Sequence, residues 1–90
     1  MESEEGVVGT TKTTISRWFE SGKRMKATHM LVVCDMLNHE NYPVYVKKTE
    51  DVHERYKEYD GSNMQKVLEV YSLSRPMEMQ LQEVRAFHFD

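Results

Sequence analysis

The segment THMLVVCD, residues 28–35, constrains the fold more tightly than any other stretch of this chain. Residues 30–34 are apolar at every position and are flanked by His29 and Asp35. The run is strand-sized, far short of the ~20 residues of a membrane helix. Neighbouring strand side chains point to opposite faces, so a strand apolar on both belongs at the centre of a sheet. YPVYVKK, residues 42–48, reads as a second strand with Val44 and Val46 on one face and Tyr45 and Lys47 on the other. Pro43 is expected at its start, where a missing N–H is tolerated. The insert DMLNHEN between them is short enough for an antiparallel hairpin.

Two helices flank this pair. In TTISRWFESGKRMK, Thr13 or Thr14 can cap, Ile15, Trp18 and Phe19 share one face, and Gly22 can close the helix. Trp18 is expected to anchor that face on the sheet, with a place in a ligand site as the alternative. In KTEDVHERYKEYDG, Thr49 is the expected N-cap, Glu50 and Asp51 complement the dipole, and Gly61 follows the last turn. Val52, Tyr56 and Tyr59 form its sheet-facing stripe, and Asp51 and Arg55 are spaced for an i,i+4 ion pair. SNMQKVLEVYSLS is a third strand, with Val67, Glu69 and Tyr71 alternating against Leu68, Val70 and Ser72, ended by Arg75 and Pro76. In the tail, Met77, Leu81 and Val84 suit a helix, whereas residues 86–89 alternate as a strand would.

The order is α-β-β-α-β with a mixed tail. It predicts an α+β fold with a three- or four-stranded, mainly antiparallel sheet and two helices on one face. Residues 1–12 are expected as a flexible acidic arm and residues 13–90 as a single small domain. The other sheet face would then need cover from a second copy or a larger protein.

Composition narrows the chemistry. The single cysteine, Cys34, permits no internal disulfide and fits a reducing compartment. The amino terminus carries Glu2, Glu4 and Glu5 instead of a basic, apolar signal, so a cytoplasmic location without membrane insertion is expected. Residues 12–26 hold Lys12, Arg17, Lys23, Arg24 and Lys26 against Glu20 alone, on a chain whose net charge is −3. These cations with Trp18 and Tyr45 are candidate ligand-binding residues. A pI near 5.8 argues against a nucleic-acid polymer and for a compact, nucleotide-like anion.

Enzyme signatures are missing. Cys34, Asp35, His39 and Glu40 are metal-binding types, yet their spacing matches no metal motif, and Cys34 and Asp35 should point to opposite faces. Serine occurs in no nucleophile elbow, and the glycines, at 6, 9, 22 and 61, form no phosphate loop. No cofactor, metal or catalytic residue is expected. The seven methionines suit either gap-filling in the core or an adaptable contact surface.

THMLVVCD, YPVYV, the NMQ-V-EVY pattern and the closing RAFHF resemble a set of small bacterial and phage proteins with no assigned function. The resemblance spans residues 27–90 and rests on strand-core positions. It implies a fold and no catalytic group, and makes Asp35, His39, Asn63 and Gln65 candidates for a shared pocket. The leading expectation is a non-enzymatic interaction protein, phage or mobile-element encoded, that docks on a host protein (an inhibitor of host defence, for example) or on its own copy. The second is sequestration of a nucleotide-like anion by the basic and aromatic residues. The third is a metal-dependent hydrolase around Asp35 and His39.

Overall fold

A computed structural model describes residues 6–7 and 10–90, with side chains from Thr11 onward. Its centre is the apolar run. Strand β3 (His29–Asp35) pairs antiparallel with β4 (Glu40–Val46) and with β5 (Gln65–Ser72), in the order β4-β3-β5. Met30, Leu31, Val32 and Val33 are wholly buried. The α+β class and the three-stranded antiparallel sheet are those expected.

Ahead of the sheet, β1 (Gly6–Val7) pairs antiparallel with β2 (Thr10–Thr11). Most of the expected acidic arm, residues 1–5 with 8 and 9, lies outside the described residues. Helix α1 (Lys12–Arg24) begins earlier than Thr13: Thr11, in extended backbone, caps it by accepting the Thr14 N–H at 3.1 Å. Nor does Gly22 close it. The helix runs on to Arg24 and ends with Lys26 N–H donating to Lys23 O and Ala27 N–H to Gly22 O, each at 3.0 Å. This paired closure places Lys26 in left-handed backbone, φ 63°. Gly22 instead permits close approach, since a Cβ there would lie 2.8 Å from both Leu73 Cδ1 and Tyr45 Cε1.

Both faces of the sheet are covered. Met30 and Val32 point toward α1, packing with Ile15, Phe19, Leu68, Tyr71 and Leu73, and with Met77 and Leu81 of the short α3 (Met77–Leu81). Leu31 and Val33 point the other way, to Val44, Val46, Val67, Val70 and Val52 of α2 (Val52–Tyr59). Two helices do share one face, but they are α1 and α3, while α2 covers the other. A bare sheet face is therefore no ground for self-association. The stripe Val52, Tyr56, Tyr59 meets the sheet as its spacing implies.

Other local readings need correction. The hairpin insert is shorter than DMLNHEN, because pairing continues to Asp35 opposite Glu40 and leaves residues 36–39 as the turn. Pro43 lies within β4, opposite Val32, rather than at its start. Because β4 is an outer strand, an absent ladder donor is tolerated. Asp51, not Thr49, caps α2, accepting from His53 N–H at 2.8 Å and Glu54 N–H at 3.4 Å. That role takes Asp51 away from Arg55, which pairs with Glu58 at 2.6 Å and approaches Glu50 at 3.7 Å.

The largest departure is in β5. Its register with β3 shifts between Val32, opposite Glu69, and Val33, opposite Val67, so Leu68 is an extra residue. Such a bulge breaks the alternation of faces. Val67 and Val70 pack under α2, whereas Leu68 and Tyr71 pack under α1. Glu69 bonds Tyr71 and so joins the α1 side, 3% exposed. The tail is both things its sequence suggests: a short helix, then a parallel bridge from Phe87 to Val70 on the outer edge of β5. Val84, read as part of the helical stripe, lies beyond α3 and is 97% exposed. Among the described residues no helix is long and apolar enough to cross a membrane.

Candidate functional site

A cleft of about 460 Å³ opens where three chain segments converge. The exit of α1 supplies Met25, Lys26 and Ala27, the end of β4 supplies Tyr45 and Lys47, and the turn toward α2 supplies Lys48 and Thr49. Hairpin register brings them together, since Thr28 N–H donates to Val46 O at 2.8 Å and ties the entry of β3 to the exit of β4. The turn of residues 47–50 is fixed twice. Glu50 N–H donates to Lys47 O at 2.9 Å, and Lys47 N–H donates to Glu50 Oε1 at 2.8 Å.

Tyr45 is held firmly. Its hydroxyl donates to Trp18 O at 2.8 Å, and its ring edge rests against Gly22. Burial pushes its phenol pKa up, while the Arg24 guanidinium pulls the other way. The result is a neutral, oriented ring. With Met25 and Ala27 it gives the cleft apolar surface, and Lys26, Lys47 and Lys48 give it positive charge. The volume suits a small molecule of nucleotide size. Chemically the lining offers charge, a hydroxyl and a ring face, the equipment of recognition.

The residues singled out from sequence separate into groups. Lys26 and Tyr45 line this cleft, and Arg24 acts on Tyr45 from nearby while its guanidinium donates to Ser21 Oγ at 3.4 Å. Trp18 is half-buried against the α1-side core and contributes its carbonyl. Arg17 is exposed elsewhere on α1. Lys23 lines a different cleft, of about 410 Å³, with Glu20, Arg75 and Glu78. Lys47, Lys48 and Thr49 were not foreseen. The hairpin register would have revealed them, because pairing Met30 with Tyr45 carries residues 26–28 toward 47–49.

The polar members of the expected shared pocket gather only in part. Asp35 and Gln65 are register partners at the far end of the sheet. Asp35 Oδ1 accepts Leu37 N–H at 2.9 Å, and Gln65 Nε2 donates to the Tyr42 hydroxyl. His39 and Asn63 are exposed in left-handed backbone, φ 59° and 52°. Cys34 is half-buried against the α1-side core, as its place in the strand implies. Among the described residues no three of His, Cys, Asp and Glu are grouped so as to hold a metal ion.

Sequence reasoning also missed a buried carboxyl. Glu69 Oε1 accepts from the Tyr71 hydroxyl at 2.6 Å and Oε2 from Ala86 N–H at 3.2 Å. Burial pushes its pKa up, against the opposing effects of Tyr71, Ala86 and Arg85. The bond from Ala86 clasps the tail to β5, and the bond from Tyr71 braces the carboxyl that receives it. A lone acid within VLEVY was the available signal; alternation grouped it with Tyr71, as found, but also with Val67, which the bulge turns to the other face.

No described protein family, curated protein or solved structure matches this chain.

Proposed function

We propose that this chain is a non-enzymatic binding module that holds a compact, nucleotide-like anion between the exit of α1 and the exit of β4. The observation that carries the reading is the convergence of Lys26, Lys47 and Lys48 around apolar surface from Tyr45, Met25 and Ala27. On a chain of net charge −3, this is local positive charge suited to a small ligand more than to a polymer. Glu50, the acid nearest in sequence, is engaged by Lys47 N–H and Arg55, which leaves the lysine ammoniums to a ligand. Thermal melts against nucleotides, inorganic phosphate, pyrophosphate and citrate test it. A ligand at 100 times its Kd adds about 2.7 kcal/mol of stability. No shift with any anion refutes the proposal.

A second reading, docking on a protein partner, draws on the opposite end of the sheet. Met36, Leu37 and Met64 are 40%, 71% and 54% exposed, and Met36 N–H donates to Met64 O at 2.9 Å, so they form one apolar tip. Flexible methionines suit such contacts. Replacing Leu37 and Met64 by serine should abolish partner capture while leaving anion binding intact; capture that survives counts against this surface.

A further inference from the structure

Lys26 stands where a glycine would be expected. The helix closure around it, with Ala27 N–H on Gly22 O and Lys26 N–H on Lys23 O, requires a left-handed residue at this position, and Lys26 adopts φ 63°. Side chains with a Cβ are disfavoured there, which is why glycine dominates such positions. The same residue lines the cleft, so a backbone conformation unfavourable for lysine coincides with the proposed binding surface.

The lining also narrows the ligand. Its cations are all lysines, compact point charges on flexible stems that can converge on the several oxygens of one multiply charged phosphate. Tyr45 cannot swing away, because its hydroxyl is bonded to Trp18 O and its ring abuts Gly22. A fixed ring beside a flexible thioether, that of Met25, suits a flat apolar body.

We infer that the cleft selects a phosphomonoester carried on a flat apolar body, and that Lys26 occupies the helix-closing position because its ammonium is a phosphate contact. This rests on the cleft being the binding site. The whole chain is titrated with adenosine 5′-monophosphate, ribose 5-phosphate and adenosine, and the Lys26→Gly and Lys26→Arg variants are titrated and melted alongside it.

Adenosine monophosphate should bind at least tenfold more tightly than either fragment. Lys26→Gly should weaken it about tenfold, as expected for loss of one charge-assisted contact, while its Tm rises by roughly 4 °C. Lys26→Arg should retain most of the affinity and show no such rise. Unchanged affinity in Lys26→Gly overturns the role of Lys26, as does a lowered Tm. Binding of citrate or pyrophosphate without adenosine monophosphate overturns the ligand class and leaves the anion site standing. If no anion binds at all, the proposed function fails with it.

Discussion

Beneath α2 the sheet presents Leu31, Val33, Val44, Val46, Val67 and Val70, an aliphatic layer with tyrosines at its margin. Beneath α1 and α3 the same strands bury Ile15, Phe19 and Met30 together with Glu69, Tyr71 and Gln80. The polar groups on that side are matched. Glu69 takes the Tyr71 hydroxyl and Ala86 N–H, while Gln80 accepts Ser72 N–H at 2.8 Å and donates to Ser72 O at 2.9 Å. Aliphatic contacts are non-directional, whereas a satisfied polar network admits one arrangement. Tyr45 packs on this α1 side, so the candidate site belongs to the face that specifies geometry most strictly.

The contrast can be broken by substitution. The largest effect should come from Glu69→Ala, which leaves a buried hydroxyl and a buried amide without an acceptor. Denaturant unfolding at neutral pH should show a loss of about 4 kcal/mol. A loss below about 1 kcal/mol would mean that the network does little. On the other face, Leu31→Ala should cost about 3 kcal/mol through cavity formation and leave the pH dependence of stability unaltered.

Glu69→Gln sharpens the comparison through pH. The folded-state pKa of Glu69 lies above its ordinary 4.5, so the folded chain holds this proton more firmly than the unfolded one. Its contribution is therefore fully present below about pH 4.5, declines as pH rises from there to the raised folded-state pKa, and is level beyond it. Stability curves measured upward from pH 4 should flatten over that window in Glu69→Gln. Curves parallel to those of the native chain would assign the acid-range dependence to other groups.

The smallest effect on stability falls at the cleft. Lys47→Glu, at an exposed position, should change unfolding free energy by no more than about 0.5 kcal/mol. Calorimetry should nevertheless register at least a tenfold loss of anion affinity, because a repulsive charge replaces an attractive one. Equal affinity in this variant would detach the ligand from the cleft.

Much of this architecture was legible where one signal dominated. Five successive apolar residues fixed the central strand, and the stripe of Val52, Tyr56 and Tyr59 fixed the sheet-facing side of α2. The failures arise where two local roles compete. Gly22 offered a helix stop, but packing against Tyr45 and Leu73 claimed it, and Lys26 took the closing position at its own conformational expense. Asp51 could pair with Arg55 or cap α2, and capping prevailed. The bulge at Leu68 leaves no periodic trace, so Val67 was grouped with Glu69 and Tyr71, and Leu68 with Val70, across a break that puts each on the opposite face. Of the site, Lys26 and Tyr45 were visible as a basic segment and an aromatic strand. Lys47 and Lys48 join them through strand register, which a linear reading did not extend past the hairpin.

The most direct measurement follows the backbone amides of the whole ¹⁵N-labelled chain while adenosine 5′-monophosphate, and separately pyrophosphate, is added. Saturable shifts confined to residues 25–27 and 45–49, with residues 36, 37 and 64 unmoved, are predicted. Shifts centred on that apolar tip, or no saturable shift anywhere, would contradict the cleft as the functional site.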